Sequence, residues 1–185
     1  MSEMIALSSL INEPMRLLKK MELRVQISKN NLRKDLDEWS GLEFHMGTER
    51  FVADRSQISE VAALPKKTTR IPRTKPWLMG LINIHGQLYP LIDLKMFLGS
   101  GRTDLSSLSR ILVLKNKDIK VGLIVDNVRG LRTFAKSAFK TDKLEHEMRC
   151  EKFLKGKYRS NGSEWALFDL FKLIKSPEFL DFVTN

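Results

Sequence analysis

From residue 42 onward the apolar side chains recur at every second position in short runs, and each run ends on a Gly, Asn, Asp or Pro. Period two is what a half-buried strand requires, and turn residues at such close intervals leave no room for the long helices of a βαβ unit. Leu42, Phe44 and Met46 alternate with Glu43 and His45, Gly47 supplies a turn, and Arg50 to Asp54 returns as a second strand. A second hairpin runs from Leu81 to His85, turns at Gly86-Gln87 and continues from Leu88 to Asp93. Pro90 has no amide to donate, which predicts an edge strand or a bulge there. Leu94 to Leu98 reads as one short helical piece stopped by Gly99. A third hairpin pairs Arg110–Leu114 with Ile119–Val125. Asp126, Asn127 and Gly130 then punctuate the connection to Leu131–Phe134, while residues 135–151 show no clear period. The last hairpin turns at Asn161-Gly162, since both residues tolerate positive φ, and Asp169 is placed to cap a closing helix, Leu170 to Ile174. Many short strands with evenly spaced turns predict a mainly β fold, a barrel or a sandwich.

Residues 1–40 follow a different rule. They contain no Gly, and Leu17, Leu18, Met21, Val25, Leu32, Leu36 and Trp39 recur at steps of three and four, the helical period. Pro14 suits a first helical turn, and Asn30-Asn31 reads as a break. The expected division is a helical arm over residues 1–38 and a β domain over 39–185. Packing of the arm on its own domain, docking to a partner and lying on a membrane surface all fit this period; acidic residues dilute the polar face and weigh against the last.

Forty-two percent of the residues are hydrophobic, enough for a packed core. No apolar stretch approaches the roughly 20 residues that cross a bilayer, so direct membrane insertion is not expected. The first 40 residues hold no uncharged apolar run before a small-residue cleavage site, which argues against a secretory signal. Cys150 is the only cysteine, so no internal disulfide forms and a cytoplasmic, reducing setting is expected. The net charge of +10 suits attraction to nucleic acid, an anionic membrane or an acidic protein, and equally a surface kept solvated with a positive bias. The basic residues cluster most densely at Lys66, Lys67, Arg70, Arg73 and Lys75, among Pro65, Pro72 and Pro76. That is an exposed loop without interleaved aromatic rings, so nucleic acid is not the expected partner.

Little in the chain points to chemistry. His45, His85 and His146 are the only imidazoles. His146-Glu-Met-Arg-Cys150 mimics the zincin spacing, with Cys in place of the second His, but no third ligand stands at a recognisable distance along the chain. Asn161-Gly-Ser163 matches a glycosylation acceptor and, without secretion, reads as a turn. No phosphate-binding loop, dinucleotide fingerprint or nucleophile elbow is present. The expectation is no catalytic residue, no metal and no cofactor.

The segment Pro76-Trp-Leu-Met-Gly-Leu-Ile-Asn-Ile-His-Gly-Gln-Leu-Tyr-Pro-Leu-Ile-Asp-Leu94 resembles the signature of the chemotaxis coupling (CheW-like) family. There an apolar lead is followed by Gly-Val-Ile-Asn-Leu-Arg-Gly and then Pro, two hydrophobic residues, Asp and Leu. Phe51-Val-Ala with Ile58 to Val61, Arg110 to Leu114 with Val121 to Val128, and Trp165 to Leu170 match further family segments in order. The resemblance spans roughly residues 40 to 175. It implies two small five-stranded β-barrel subdomains around a shared core. It also implies the work of an adaptor that bridges the cytoplasmic tip of a methyl-accepting chemoreceptor and a CheA-type histidine kinase.

Carried over position by position, the resemblance implies a receptor- and kinase-binding groove at Ile58, Glu60, Asn83, His85, Gly86, Val125 and Val128. The residues also support plainer readings. Ile58, Val125 and Val128 suit a core, Asn83 suits a hairpin backbone bond, and Gly86 suits a turn. His85 departs from the family, which has Arg there; imidazole lacks the permanent charge and two-pronged donor face of a guanidinium. Glu60 and His85 match positions that face each other near the groove, so an imidazole–carboxylate pair is expected. The helical start and Ser176 to Leu180 resemble the twitching-motility (PilI-type) branch, with a flagellar chemotaxis adaptor as the alternative. Such a protein would work in the cytoplasm, at the inner face of the membrane through receptor arrays.

Overall fold

The computed structural model describes residues 20–22, 24, 37–65, 67–115, 119–142 and 148–181. The chain divides into two compact units, residues 1–39 and 40–185. In the first, residues 20–22 and 24 are helical, and most of the expected arm lies outside the described residues.

The second unit is built on eleven strands among the described residues: β1 (Glu38–Met46), β2 (Glu49–Asp54), β3 (Glu60–Ala63), β4 (Leu78–Ile84), β5 (Gln87–Asp93), β6 (Arg110–Lys115), β7 (Lys120–Val125), β8 (Asn127–Ala135), β9 (Phe139–Lys140), β10 (Leu154–Ser160) and β11 (Ser163–Phe168). Three short α-helices, α1 (Leu94–Phe97), α2 (Leu170–Ile174) and α3 (Pro177–Leu180), and three single 3-10 turns (Arg55–Gln57, Lys136–Ala138 and Glu151–Phe153) complete it among the described residues. One sheet has the order β8-β1-β2-β11-β10-β9, the other β3-β6-β7-β5-β4. The mainly β fold in two subdomains is therefore as expected. Each hydrogen-bonded ladder, however, stays open, and contacts outside the ladder tie its two sides together. In the first sheet Phe134 of β8 stacks on Tyr158 of β10 at 4.6 Å between ring centroids. In the second, Thr69, in the loop after β3, forms an isolated bridge with Leu81 of β4.

The two sheets share one core. Leu42, Phe44, Met46 and Phe51 of the first meet Leu112, Leu114, Leu123 and Val125 of the second in a single buried cluster. Phe44 stacks on Phe51 at 5.5 Å, and Phe168 stands edge-on to both, the geometry that aromatic quadrupoles favour. The opposite face of the second sheet closes over Ile82, Tyr89, Leu91, Ile111, Val113 and Ile124. Its strands are thus apolar on both sides, which is why β6 and β7 read as continuous hydrophobic runs.

Three local expectations are corrected. Pro90 lies in β5, an interior strand between β7 and β4. Its partner Leu81 gives both its amide and its carbonyl to Thr69, so β4 asks Pro90 for no hydrogen bond. Pairing with β7 begins only at Leu91, and the missing amide costs no ladder bond on either side. The bulge lies opposite, between Leu78 and Gly80. Second, the hairpin turns at His85-Gly86, with φ of 50° and 78°, one residue earlier than the sequence suggested. Third, Asn127 and Gly130 belong to β8 itself. Asp126 alone separates β7 from β8, so the chain crosses from one sheet to the other in one residue. That crossing is fixed by the Asp126 amide donating to the His45 carbonyl at 3.1 Å and by Asp126 Oδ2 accepting from the Gly47 amide at 2.5 Å.

Candidate functional site: the hairpin tip and the sheet crossing

The expected groove residues fall into two groups. Glu60, Asn83, His85 and Gly86 gather at the surface. The side chain of His85 is 81% exposed and places Nε2 3.1 Å from Glu60 Oε2. The turn that holds it is built by its neighbours: Asn83 Oδ1 accepts from the Gly86 amide at 2.8 Å, and Gly86 takes the left-handed φ without a Cβ penalty. The imidazole tip is thus carried on a two-residue turn with positive φ at both positions, the form whose twist matches a hairpin.

Ile58, Val125 and Val128 are placed differently. Ile58 is 2% exposed and Val125 0%, both in the shared core, and Val128 is half-buried against the same cluster. Ile58 and Val125 thus stand in the core of this fold and present almost no surface of their own. Alternation could not reveal this, because one β period serves a groove wall and a core equally.

A second polar cluster was missed from the sequence. Glu43 lies on β1 and is only 4% exposed, although its alternation with Leu42 and Phe44 reads as a solvent face. It faces away from the shared core, toward Arg132 of β8 and Trp165 of β11. Arg132 Nε donates to Glu43 Oε2 at 2.5 Å, and His45 Nε2 lies 3.0 Å from Oε1. The Arg132 guanidinium also sits 4.4 Å over the Trp165 ring, a cation–π contact. Burial works against the charge on Glu43. The Trp165 indole, His45 and Arg132 outweigh it and hold the carboxyl below its usual range.

A third cluster joins the turn between β2 and β3 to the start of α2. Gln57 Nε2 donates to Asp169 Oδ1 at 2.9 Å, while Gln57 Oε1 accepts the Leu170 amide at 3.0 Å. Asp169 also caps α2 through the Lys172 amide and pairs with Lys155 at 3.0 Å.

These clusters organise backbone; none pairs a nucleophile with a base. Among the described residues no group of three or more His, Cys, Asp or Glu gathers as a metal site. Cys150 is buried, and that burial pushes its thiol up to about 12; His146 lies outside the described residues. No described helix is long and apolar enough to cross a membrane.

Comparison with known proteins decides what this architecture is. The model of the CheW-like domain matches residues 40–178. The chain belongs to the CheW-like family. It is 34% identical to Protein PilI of Pseudomonas aeruginosa over 146 residues, covering 79% of this chain and 81% of that one. It is 25% identical to the chemotaxis protein CheW of Thermotoga maritima, covering 76% and 90%. Among solved structures it resembles the scaffolding protein TtCheW from Thermoanaerobacter tengcongensis, with a TM-score of 0.64, 25% identity, and coverage of 75% and 94%. CheW-like proteins are scaffolds of chemotaxis-type signalling, and the β domain described above is that scaffold.

Proposed function

We propose that this protein is a non-enzymatic adaptor that couples the cytoplasmic tip of a methyl-accepting chemoreceptor to a CheA-type histidine kinase, in a pathway controlling type IV pilus twitching motility. The observation that carries this reading is the alignment with PilI across most of both chains, on top of the family match over the whole β domain. Contact residues on this reading are Glu60, Asn83, His85, Gly86 and the exposed part of Val128, with Ile58 and Val125 holding them from the core. The single, buried cysteine suits a reducing cytoplasm, and receptor arrays would bring the protein to the inner face of the membrane. Residues 1–38 form a separable arm on the same reading, supported by a family match that begins only at residue 40.

Calorimetry of the purified protein with the regulatory module of the kinase tests the coupling. Heat of association at tens of micromolar, roughly −6 kcal/mol, with no nucleotide or metal added, is the expected result. Its absence would sink the proposal. Deletion in the native cell separates the pathways: lost twitching with intact swimming selects the pilus branch, and the reverse selects flagellar chemotaxis.

A further inference from the structure

The charge of this chain is unevenly placed. Residues 61–92 contain Lys66, Lys67, Arg70, Arg73 and Lys75 and not one Asp or Glu, so this stretch alone holds half of the formal net charge of +10. The fold lays part of it along a strand edge. Thr69 donates to the Leu81 carbonyl at 2.9 Å and accepts the Leu81 amide at 2.7 Å, pinning the loop to the outer side of β4. Gly80 permits that approach, since a Cβ there would stand 2.2 Å from the Thr69 carbonyl oxygen. Lys67 and Arg70, on either side of the pinned residue, are exposed. Arg102 reaches the same strand, its Nη2 3.8 Å from Met79 Sδ.

Among the described residues most of these cations are not neutralised. Lys75 pairs with Asp181 at 3.5 Å, but Lys67, Arg70, Arg73 and Arg102 have no acidic partner among the described residues. Arg73 adds a second observation. It follows Pro72 in a turn and holds φ at 58°, a conformation in which Gly or Asn is the unstrained choice. A long cationic side chain is kept there against local preference, and such strain collects at binding and switch positions.

We propose that Lys67, Arg70, Arg73 and Arg102 form a docking strip for an acidic, extended segment of a partner polypeptide. Charge sets the sign of the occupant, and an exposed loop bridged at Thr69 to the edge strand β4 sets its shape. Two other polyanions fit less well. Nucleic acid calls for exposed rings among the cations to stack its bases. Trp77, the one aromatic residue between Leu64 and Trp77, is instead packed on Phe97 and Phe179. An anionic membrane calls for exposed apolar anchors between the cations, and Ile71 is turned onto the core. The strip does not depend on the receptor–kinase reading, and its test uses neither protein.

The full-length protein is titrated with a fluorescent oligoglutamate peptide and followed by anisotropy at low and physiological salt. The combined variant Lys67→Ser, Arg70→Ser, Arg73→Ser is expected to bind about tenfold more weakly at low salt. A control removing three other exposed cations, Lys120→Ser, Lys172→Ser and Lys175→Ser, is expected to change binding by less than about twofold. Arg73→Gly should raise the melting temperature while weakening the peptide complex. The proposal is overturned if the parent fails to bind, if both triple variants lose affinity equally, or if Arg73→Gly binds as the parent does. Tighter binding of an oligonucleotide of equal charge, or of phosphatidylserine vesicles, that the strip variant abolishes also overturns it in favour of that polyanion.

Discussion

Glu60 and His85 meet at 3.1 Å, although one opens β3 and the other sits in the turn after β4, the two outermost strands of their sheet. A contact between the ends of an open ladder is possible only because the sheet curls until its margins approach. The pair therefore spans the seam of the subdomain, where a change in either residue is felt as a change in how the margins are held.

Because the imidazole is largely exposed, the pair adds little to stability. A double-mutant cycle of Glu60→Gln and His85→Ala, followed by denaturant unfolding, should return a coupling of about 0.2–1 kcal/mol. His85→Arg places a permanently charged, two-pronged donor at this position. On the proposed function it should raise kinase coupling severalfold in a reconstituted receptor–kinase mixture. Coupling identical to the parent would show the turn to be a bystander.

Gly80 and Gly86 separate two kinds of glycine requirement. Both hold positive φ, but a Cβ at Gly86 meets nothing within 4 Å, whereas one at Gly80 collides with the Thr69 backbone. Gly86→Ala should cost about 1–2 kcal/mol, the price of the left-handed conformation alone. Gly80→Ala should cost at least about 3 kcal/mol, since strain and a backbone clash combine, and should lose exchange protection at Thr69 and Leu81. Equal losses in chemical denaturation would contradict the close approach.

Glu43 predicts an acid limb in the stability profile. Its folded pKa lies below the ordinary value of 4.5. The stabilisation it provides is therefore present above the unfolded value and is lost as pH falls through the folded one. Glu43→Gln should lower stability at neutral pH by about 1–3 kcal/mol and flatten the parent's decline below about pH 4.5. Urea unfolding from pH 3 to 7 checks this; a variant that keeps the parent's acid slope would place the titration elsewhere.

Asp169 carries a heavier structural duty than a helix cap, because the same oxygen receives Gln57. Asp169→Ala should cost more than the roughly 0.5–2 kcal/mol of a lost cap, since buried Gln57 is left without its acceptor. Asp169→Asn keeps an acceptor for both donors and should recover most of the difference. If Ala and Asn variants unfold at the same denaturant concentration, the tie between Gln57 and the closing helix contributes nothing.

The strands were legible where turn chemistry was strong. Asn161-Gly162 marked its hairpin to the residue, and Asp93 and Asp169 cap α1 and α2, the second as read from sequence. Reading failed where tertiary structure redefines what a local signal means. Pro90 reads as an edge residue unless the diversion of Leu81 to Thr69 is known. Asn127 and Gly130 read as loop, yet they continue a strand in a different sheet. Glu43 reads as solvent-facing because alternation records two faces, not which face a curled sheet encloses. The same limit governs the candidate site. The polar hairpin tip could be placed from its residues, while Ile58 and Val125 could be assigned to core only once both sheets were seen together.

The passage through Asp126 also orders events in time. The second sheet is drawn from the uninterrupted stretch between Glu60 and Val125, nested inside the first. Every pairing in that sheet can thus be made as soon as that stretch has left the ribosome. The first sheet cannot be finished then, for β2 waits on β11, its parallel neighbour, which is synthesised more than a hundred residues later. Until then β1 and β2 expose the apolar face that will join the shared core, and contacts so distant along the chain form slowly. The chain is most vulnerable in the interval before its last hairpin arrives.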